Sequence, residues 1–313
     1  MASNSEITAS YRWCRKVCKQ SGSSFFASFH LLAPERRQAM YALYAFSRIS
    51  DDLSDDWDLA EIAKTNAEAR TRLKQWQTLL HSQCDEASSS LSSGRSGDLL
   101  REYDSLWPAL ADAVQRFEIP VQHLNEIVQG VAMDLDQLEI LTWGDLRRYC
   151  YHVASAVGLA CLHIWRASKE LPKQPAIDCG YAFQWTNILR DIQEDAAMGR
   201  IYLPQELFDE FSIDRQRWLE GQPTGDWQDA IREVASQAFE LYDRGWEVID
   251  YLSPDSRRMF SLMWRTYRAL LEEVSREPQR LWLEPKVGLR RGRKLRLAAF
   301  HFVPALYRRL PSP

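Results

Sequence analysis

Long stretches of this 313-residue chain follow a helical pattern and contain few residues that break helices. Glycine and proline number only 13 each, and apolar side chains recur at intervals of three and four residues. The periodicity predicts helices over 34–57, 59–82, 98–117, 121–139, 143–167, 174–198, 224–251, 254–276 and 290–308. No alternating run has a second run with which it could form a sheet. The sequence therefore predicts an all-α fold.

The predicted helices are expected to form one domain. Two breaks, 88–97 and 171–175, interrupt the pattern, but the helices on both sides carry broad apolar faces that need covering. We expect this domain to span residues 11–285. A disordered N-terminus (1–10) would precede it, and a basic amphipathic segment (286–313) would follow it.

Composition excludes several classes of protein. The net charge of −4 gives no general attraction to nucleic acid. The six cysteines show neither a CxxC pair nor a secreted framework. Cys14 and Cys18 lie one helical turn apart, but no second pair of metal ligands accompanies them, so we interpret the cysteines as reduced structural thiols. Without a signal-peptide layout or 18 consecutive apolar residues, we expect a cytoplasmic protein.

Two acidic clusters follow strongly apolar helical runs. The first is "RISDDLSDDWD", in which Asp51 and Asp55 are four residues apart, and the second is "NILRDIQEDAAMGRIYLP", in which Asp191 and Asp195 have the same spacing. Residues four apart share a helix face, and two unit charges about 6 Å apart repel by about 3 kcal/mol at an effective dielectric of 20. One such cluster alone is typical of a solvated helix face.

The matching form of the two clusters favours a shared cation site. Each has an arginine nearby, Arg48 or Arg190. Carboxylates facing one another across a helical bundle would need cations, and hard divalent cations prefer oxygen ligands. Mg²⁺ commonly bridges such carboxylates to phosphates, so the pattern predicts a site for Mg²⁺ and a diphosphate without a Gly-rich phosphate loop.

The sequence resembles the squalene/phytoene synthases, the head-to-head branch of the trans-prenyl diphosphate synthases. The resemblance covers roughly residues 11–275, and its carriers are "SGSSFFASFHLLAPERRQAMYALYAFSRISDDLSDD", "LRRYCYHVASAVG" and "AFQWTNILRDIQEDAAMGRIYLP". It implies an isoprenoid synthase bundle of helices around a central cavity, with two facing DxxxD motifs near its mouth. Three Mg²⁺ ions and two prenyl diphosphates would bind there.

The resemblance also implies roles for individual residues. The metal ligands would be the motif carboxylates and a preceding asparagine: Asp51, Asp55, Asn187, Asp191 and Asp195. The catalytic side chains near the diphosphates and the reaction centre would be Tyr44, Arg48, Tyr149 and Arg190. Substrate would be bound, along the prenyl channel and at the diphosphates, by Phe25, Phe29, Ala154, Val157, Gly158, Gln184, Arg200 and Tyr202.

Two positions depart from the family pattern, and one further residue is a candidate for catalysis. Some members have a histidine near "SGSSFF", where this chain offers serines, and Trp185 stands where a leucine is expected. These differences bear on the shape of the channel and on substrate length. His152 is a candidate for proton transfer, although a lone histidine on a helix is more often packed or solvated.

The predicted activity is Mg²⁺-dependent condensation of two farnesyl diphosphates to a presqualene diphosphate or squalene-type C30 product. A phytoene synthase acting on two geranylgeranyl diphosphates is the alternative. A class I terpene cyclase would carry an Asn/Ser/Glu triad as its second metal motif, and the paired DxxxD argues against it. A helical interaction protein with solvated acidic faces is the non-enzyme alternative. No GxGxxG follows a strand, so NADPH use is not indicated by a motif, and no oligomeric state is predicted.

The segment 286–313 differs in character from the rest of the chain. It contains no acidic residue but eight basic ones, Lys286, Arg290, Arg291, Arg293, Lys294, Arg296, Arg308 and Arg309. One interpretation is a final helix packed on the bundle. The other is a basic amphipathic element that rests on an anionic membrane surface, since the products of this family are water-insoluble hydrocarbons.

Overall fold

The structure, a computed structural model, describes residues 2–21, 25–55, 62–84, 98–135, 139–168 and 170–307. Its α-helices are, in chain order, α1 (Asn4–Gln20), α2 (Pro34–Asp55), α3 (Ile62–Cys84), α4 (Trp107–Phe117), α5 (Val121–Leu135), α6 (Trp143–Cys150), α7 (Ala156–Ile164), α8 (Lys173–Arg190), α9 (Ile192–Ala197), α10 (Gln205–Glu210), α11 (Arg215–Leu219), α12 (Trp227–Gly245), α13 (Pro254–Arg276), α14 (Arg280–Leu283), α15 (Arg291–Phe302) and α16 (Pro304–Tyr307). Short 3-10 helices cover Ser28–Leu31, Asp98–Tyr103 and Trp246–Tyr251, and a π-helical turn covers Tyr151–Ser155.

The all-α prediction is confirmed, because no strand occurs in the ranges given above. Contacts between α-carbons divide the chain into two compact units. The first unit is Met1–Asp136 with Ala156–Lys169, and the second is Gln137–Ser155 with Glu170–Pro313. The expectation of one domain over residues 11–285 stays a prediction.

Helix α2 forms the centre of the first unit, where it packs against α1, α3, α4, α5 and α7. Its inward face is apolar and meets the indole of Trp76 on α3. That ring stacks on Phe46 at 5.7 Å and lies 4.6 Å from Trp107 on α4. The buried indole nitrogen donates to Ser50 Oγ at 2.9 Å, so this polar atom is satisfied inside the core.

Residues 4–10, which we expected to be disordered, lie in helix α1. Helix α1 begins at Asn4 because Ser3 and Glu6 form a capping box, in which each side chain accepts from the other residue's backbone N–H. Ser10 and Tyr11 are buried against α4, and Ser10 Oγ donates to the carbonyl of Ser105 at 2.6 Å. The signal Ser-x-x-Glu was present in the sequence and predicts this start.

Helix α8 forms the centre of the second unit and packs against α6, α12 and α13. Thr186 on α8 and Tyr242 on α12 share a hydrogen bond of 2.8 Å between their hydroxyl groups. Trp264 on α13 donates its indole N–H to the carbonyl of Tyr242 at 3.0 Å. These buried polar contacts hold three helices in register around an otherwise apolar core.

Besides 290–308, which divides at Val303 into α15 and α16, four predicted helices are interrupted in the structure. The predicted helix 98–117 begins as a 3-10 helix, and 224–251 ends as one. The predicted helix 143–167 contains the π-helical turn, and 174–198 breaks at Asp191, where α8 ends and α9 begins. Hydrophobic periodicity continues through all four interruptions, so the sequence pattern did not reveal them. Helix α1 and the short helices α10, α11 and α14 were not predicted.

Helix α15, within the predicted tail, packs on α13. Its inward face carries Arg293, Leu297 and His301, which are spaced four residues apart. Arg293 forms ion pairs with Glu272 and, at 3.0 Å, with the buried Glu273. Residues 308–313 lie outside the described residues, and with them Arg308 and Arg309.

His301 is held in its neutral form. Its Nδ1 lies 2.7 Å from the carbonyl of Leu297, so Nδ1 donates there, and Nε2 accepts from Ser261 Oγ at 3.0 Å. Burial lowers the pKa of His301 to about 4, and the nearby charges of Arg265 and Arg258 act in the same direction, against the Leu297 contact. Protonation would place a charge in this buried site.

We therefore predict that the attachment of α15 weakens in acid. An unfolded histidine has a pKa near 6.5, so the stability contributed by neutral His301 is complete above that pH and is lost between pH 6.5 and 4. The free energy of opening residues 291–302, measured by hydrogen exchange, should fall by about 2 kcal/mol from pH 7 to pH 5. In His301→Gln the same fall should be largely absent, and an equal fall in both proteins would contradict the assignment.

Candidate active site

The first aspartate motif lies at the C-terminal end of α2. Tyr44, Arg48 and Asp51 are spaced four and three residues apart and therefore share one face of the helix. The Asp51 side chain is exposed, and Arg48 forms an ion pair of 2.5 Å with Asp52. Asp55 is the last residue of α2, and its side chain lies outside the described part of the structure.

Aromatic rings and a serine surround Tyr44 in the first unit. The ring of Phe29, which is 2% exposed, lies 6.4 Å from that of Tyr44, and Phe25 is half-buried one turn earlier. Ser21 Oγ donates to the Tyr44 hydroxyl at 3.0 Å. Ser21 belongs to the stretch "SGSSFF", and its hydroxyl group orients Tyr44 in this chain. Ser23 and Ser24 lie outside the described residues.

The other channel residues predicted in the first unit are on α7. Val157 and Gly158 are both half-buried in the first turn of this helix. Helix α7 packs against α2 and α5. Both residues therefore lie on a helix that contacts the one carrying Tyr44 and Asp51.

The second motif spans the break between α8 and α9. Asp191 is the residue at the break, with φ −100° and ψ 11°, and Asp195 lies in the first turn of α9. The backbone N–H of Asp195 still donates to the carbonyl of Asp191 at 2.9 Å. The two half-buried carboxylates therefore keep the four-residue helical spacing that the sequence predicts, although the helix axis is interrupted.

Two cations neutralise Asp191. Arg190 donates to both carboxylate oxygens, and Lys286 Nζ lies 3.1 Å from Asp191 Oδ1 and 3.3 Å from Glu194 Oε2. Burial lowers the pKa of Arg190, but hydrogen bonds to Asp191 and the neighbouring Tyr267 raise it by more. The pKa of Lys286 is also raised overall, because Asp191 outweighs burial. Both groups are therefore positively charged at neutral pH.

Asn187 presents an unused acceptor one turn before Asp191. Its Oδ1 is buried and has no hydrogen-bond partner, while its Nδ2 donates to Gln184 Oε1 at 3.4 Å. Buried acceptors in folded proteins are nearly always satisfied, so this oxygen is a candidate ligand for a cation. Gln184, Asn187 and Asp191 lie three and four residues apart and share a face of α8.

Two predicted tyrosines are stacked in the second unit. Tyr149 on α6 is 4% exposed, and its ring lies 5.0 Å from that of Tyr202 at an angle of 17°. Gly199 lies two residues beyond the end of α9 with φ 74°, a conformation that favours glycine. The chain then turns into the segment that carries Arg200 and Tyr202. The half-buried Arg200 donates its backbone N–H to the carbonyl of Asp195 at 2.8 Å.

The π-helical turn after α6 carries Ala154 and His152. Gly180 on α8 approaches this turn so closely that a β-carbon would meet Ser155 Oγ at 2.5 Å. Such π turns are rare and often occur at functional sites. Ala154 is half-buried, and His152 has a buried Nδ1 without a hydrogen-bond partner. A role of His152 in proton transfer stays a prediction.

Trp185 packs inside the second unit. It is 1% exposed, and its ring lies 5.3 Å from that of Trp143 on α6. The adjacent Cys150 is also fully buried, and burial raises the pKa of its thiol. All six cysteines are free thiols, as the sequence predicts.

Comparisons with known proteins agree with this arrangement. The model of the squalene/phytoene synthase family matches residues 18–296. The chain belongs to the squalene/phytoene synthase family. Family membership covers both aspartate motifs and extends to Lys286, beyond the range of the resemblance read from the sequence.

Individual relatives carry two kinds of name. "Phytoene synthase 2, chloroplastic" from Zea mays is 31% identical over 271 residues, which are 84% of this chain and 62% of that protein. "Phytoene synthase 1, chloroplastic" from Arabidopsis thaliana is 30% identical over 84% of this chain and 59% of its own. The chain thus spans about three fifths of the length of these curated relatives.

Solved structures provide a fuller match. A dehydrosqualene synthase in complex with a ligand has a TM-score of 0.80 and 28% identity, and the match covers 98% of this chain and 99% of that one. Squalene synthase HpnC from Alicyclobacillus acidocaldarius has a TM-score of 0.75 and 20% identity, with coverage of 88% and 97%. At that identity the second structure supports the fold alone.

The residues present fit a divalent cation. Within the ranges that the structure describes, no three His, Cys, Asp or Glu side chains gather into a complete metal site. The second unit nevertheless offers the unpartnered Oδ1 of Asn187 beside the carboxylates of Asp191 and Asp195. These are oxygen ligands of the kind that Mg²⁺ prefers, and Mg²⁺ commonly completes its shell with water and phosphate oxygens. A count of three ions stays a prediction.

Lys286 is the site residue that the sequence did not reveal. Its basic neighbours favoured a membrane interpretation of the whole tail, and it lies 95 positions after its partner Asp191 (286 − 191). Its ammonium group competes with any metal ion for the Asp191 carboxylate. The position of Lys286 therefore indicates that the Asp191 carboxylate requires a neighbouring cation.

We predict that Lys286→Gln binds Mg²⁺ more tightly than the unaltered protein when no diphosphate is present, because the competing ammonium is gone. Titration calorimetry should show a several-fold lower Kd, with little change in thermal stability, since exposed ion pairs contribute roughly 0–1 kcal/mol. Lys294→Gln, an exposed position on α15, is the matched control. Equal Mg²⁺ affinity in the two variants would contradict the prediction.

Proposed function

We propose that this protein is a Mg²⁺-dependent prenyltransferase that condenses two farnesyl diphosphates head to head. The product would be presqualene diphosphate or a squalene-type C30 lipid, with release of diphosphate. The observation that carries the proposal is the unsatisfied Asn187 oxygen next to Asp191, which two cations flank, in a chain of this family. That combination offers ligands for a metal ion and positive charge for a diphosphate.

The residues of the second unit have separate roles in this proposal. Asn187, Asp191 and Asp195 would hold Mg²⁺, which when bound neutralises charge on the leaving diphosphate. Arg190 and Lys286 would donate to phosphate oxygens, for which charge-assisted hydrogen bonds are strong. The stacked rings of Tyr149 and Tyr202 would line the reaction centre, exclude water and favour positive charge near their faces.

The residues of the first unit also have roles in the proposed reaction. Asp51 and Asp55 would supply further metal ligands, and Arg48 would exchange Asp52 for a diphosphate. Tyr44, oriented by Ser21, and the neighbouring Phe25 and Phe29 would contact the prenyl chains, as would Val157 and Gly158 on α7. The C1–O bond of one substrate breaks, and the C2–C3 double bond of the other attacks the resulting allylic cation. Loss of a proton then gives a cyclopropylcarbinyl diphosphate.

The choice of substrate rests on the extent of the matches. The structural relative named for dehydrosqualene matches over nearly the whole of both chains, whereas the relatives named for phytoene match over 59% to 82% of theirs. We therefore favour farnesyl diphosphate. Geranylgeranyl diphosphate, with phytoene as product, is the second candidate, supported by the 31% identity of the maize protein.

We predict that incubation with farnesyl diphosphate and Mg²⁺ yields a C30 lipid, identified by extraction and mass analysis. Parallel incubations with geranylgeranyl diphosphate and with NADPH establish chain length and reduction. Asp51→Asn and Asp191→Asn should each lower turnover by on the order of 100-fold while keeping the helical content. Asp229→Asn, an exposed aspartate that pairs with Arg232, is the control. Full activity in both motif variants would contradict the roles proposed for the aspartates. No turnover of either substrate by the unaltered protein would favour a helical interaction protein.

We also propose that α15 contacts an anionic membrane surface. Arg293 and His301 face α13, whereas Leu295 is 71% exposed and Phe302, two turns later on the same side, is 41% exposed. The exposed Arg291, Lys294 and Arg296 surround these apolar groups. Exposed apolar side chains among basic ones are typical of helices that lie on membranes. No helix in the described part of the chain is long and apolar enough to cross a membrane.

This arrangement allows a sharper test than removal of the segment, which would also remove His301 and Arg293 from α13. We predict that Leu295→Ser with Phe302→Ser lowers co-sedimentation with vesicles of phosphatidylglycerol and phosphatidylcholine several-fold. Leu283→Ser, at a leucine of α14 that is 77% exposed, should leave binding unchanged. Equal binding by all three proteins would exclude α15 as the contact. With free cysteines throughout, a reducing compartment such as the cytoplasm suits the protein.

A further inference from the structure

A basic pocket lies in the first unit between α1, α2 and the 3-10 helix Ser28–Leu31. The cavity has a volume of about 290 Å³. Its charged and polar lining includes Arg12 and Arg15 from α1, Arg37 and Gln38 from α2, and His30 from the 3-10 helix. We call this cavity the arginine pocket. Nothing in the aspartate motifs uses it.

Three guanidinium groups converge on the arginine pocket without a carboxylate in its wall. Arg12 and Arg15 are one turn apart on α1, and Arg37 faces them from α2. None of the three forms an ion pair with a described carboxylate. The neighbouring acids are engaged elsewhere: Asp112 accepts from the Tyr11 hydroxyl at 2.6 Å, and Glu35 pairs with Arg166 at 3.8 Å. No described carboxylate of the protein therefore neutralises the positive charge of the arginine pocket.

Tyr41 also lines the arginine pocket. Its ring is buried, stacks on Phe26 at 5.6 Å and lies 6.2 Å from Phe29. Burial raises the pKa of Tyr41, and the charges of Arg37 and Arg15 oppose that shift only in part. The hydroxyl therefore stays protonated at neutral pH, beside two arginines.

We propose that the arginine pocket binds a phosphate group, either of free diphosphate or phosphate or of an anionic lipid headgroup. Guanidinium groups match phosphate oxygens with paired hydrogen bonds, and three of them on a rigid pair of helices suit a ligand with several oxygens. The volume accommodates a diphosphate. The pocket is separate from the first aspartate motif, because Arg37 and Asp51 are about 21 Å apart along α2 at 1.5 Å per residue. The inference does not depend on the proposed activity.

Calorimetry of the full chain in EDTA tests the proposal in solution, with inorganic diphosphate and inorganic phosphate as probes. EDTA removes the divalent cations through which the aspartate motifs would hold diphosphate. Arg12→Gln with Arg15→Gln should raise the Kd at least tenfold. Lys16→Gln with Lys19→Gln makes the same charge change on exposed residues of α1 outside the pocket, and it should leave the Kd unchanged. All four positions are exposed, so helical content should be the same in both variants.

Vesicles distinguish the two sources of phosphate. Co-sedimentation is compared for phosphatidylglycerol with phosphatidylcholine and for phosphatidylcholine alone. If the arginine variant binds diphosphate or phosphate more weakly than the lysine variant but binds vesicles equally well, the ligand is a free anion. If the arginine variant is weaker only in vesicle binding, the ligand is a lipid headgroup. A difference in both supports the shared phosphate chemistry. If the two variants behave alike in both experiments, or the unaltered protein binds neither probe nor vesicle, the proposal is overturned.

Discussion

The balance of charge around Asp191 is the interaction on which the candidate active site depends. An aspartate at a helix break, followed by Glu194 and Asp195, concentrates negative charge within one turn, and like charges at this spacing repel. Arg190 offsets it from the adjacent position, and Lys286 offsets it from the far end of the chain. The segment after α14 is therefore part of the site. A diphosphate arriving with Mg²⁺ would exchange partners with these same two cations.

Much of the fold could be predicted, because the faces of α2, α5 and α13 repeat their apolar residues with helical spacing and each helix packs along its length. The breaks could not be predicted in the same way. The π-helical turn lies against Gly180, where the missing β-carbon allows the two backbones to approach, and such a contact exists only in the folded chain. The break at Asp191 likewise leaves the hydrogen bond from Asp195 to Asp191 intact, so periodicity passes through it unchanged.

The candidate site was predictable where its residues are close in sequence. The spacing of the aspartates identified both motifs, and the resemblance added Asn187, whose unsatisfied oxygen agrees with a ligand role. Lys286 could not be found by spacing, because its partner lies on another helix and its neighbours are basic. Ser21 stood out only as a departure from relatives, and its contact with Tyr44 became visible with the position of α1 against α2. The local sequence pattern does not determine how these side chains are oriented. Contacts between residues far apart in the sequence determine their orientation.

Some charges on α2 oppose the dipole of the helix, although Glu35 in its first turn complements it. The positive end of a helix dipole is at its N-terminus, yet Arg37 lies in the first turns, and the negative end is at its C-terminus, where Asp51 and Asp55 lie. Each such placement costs roughly 0.3–1 kcal/mol when no counter-charge is bound. At both ends a bound ligand of opposite charge would remove that cost, since an anion suits Arg37 and a cation suits the aspartates. Helix α2 would thereby present an anion site near its N-terminus and a cation site near its C-terminus, on a single face.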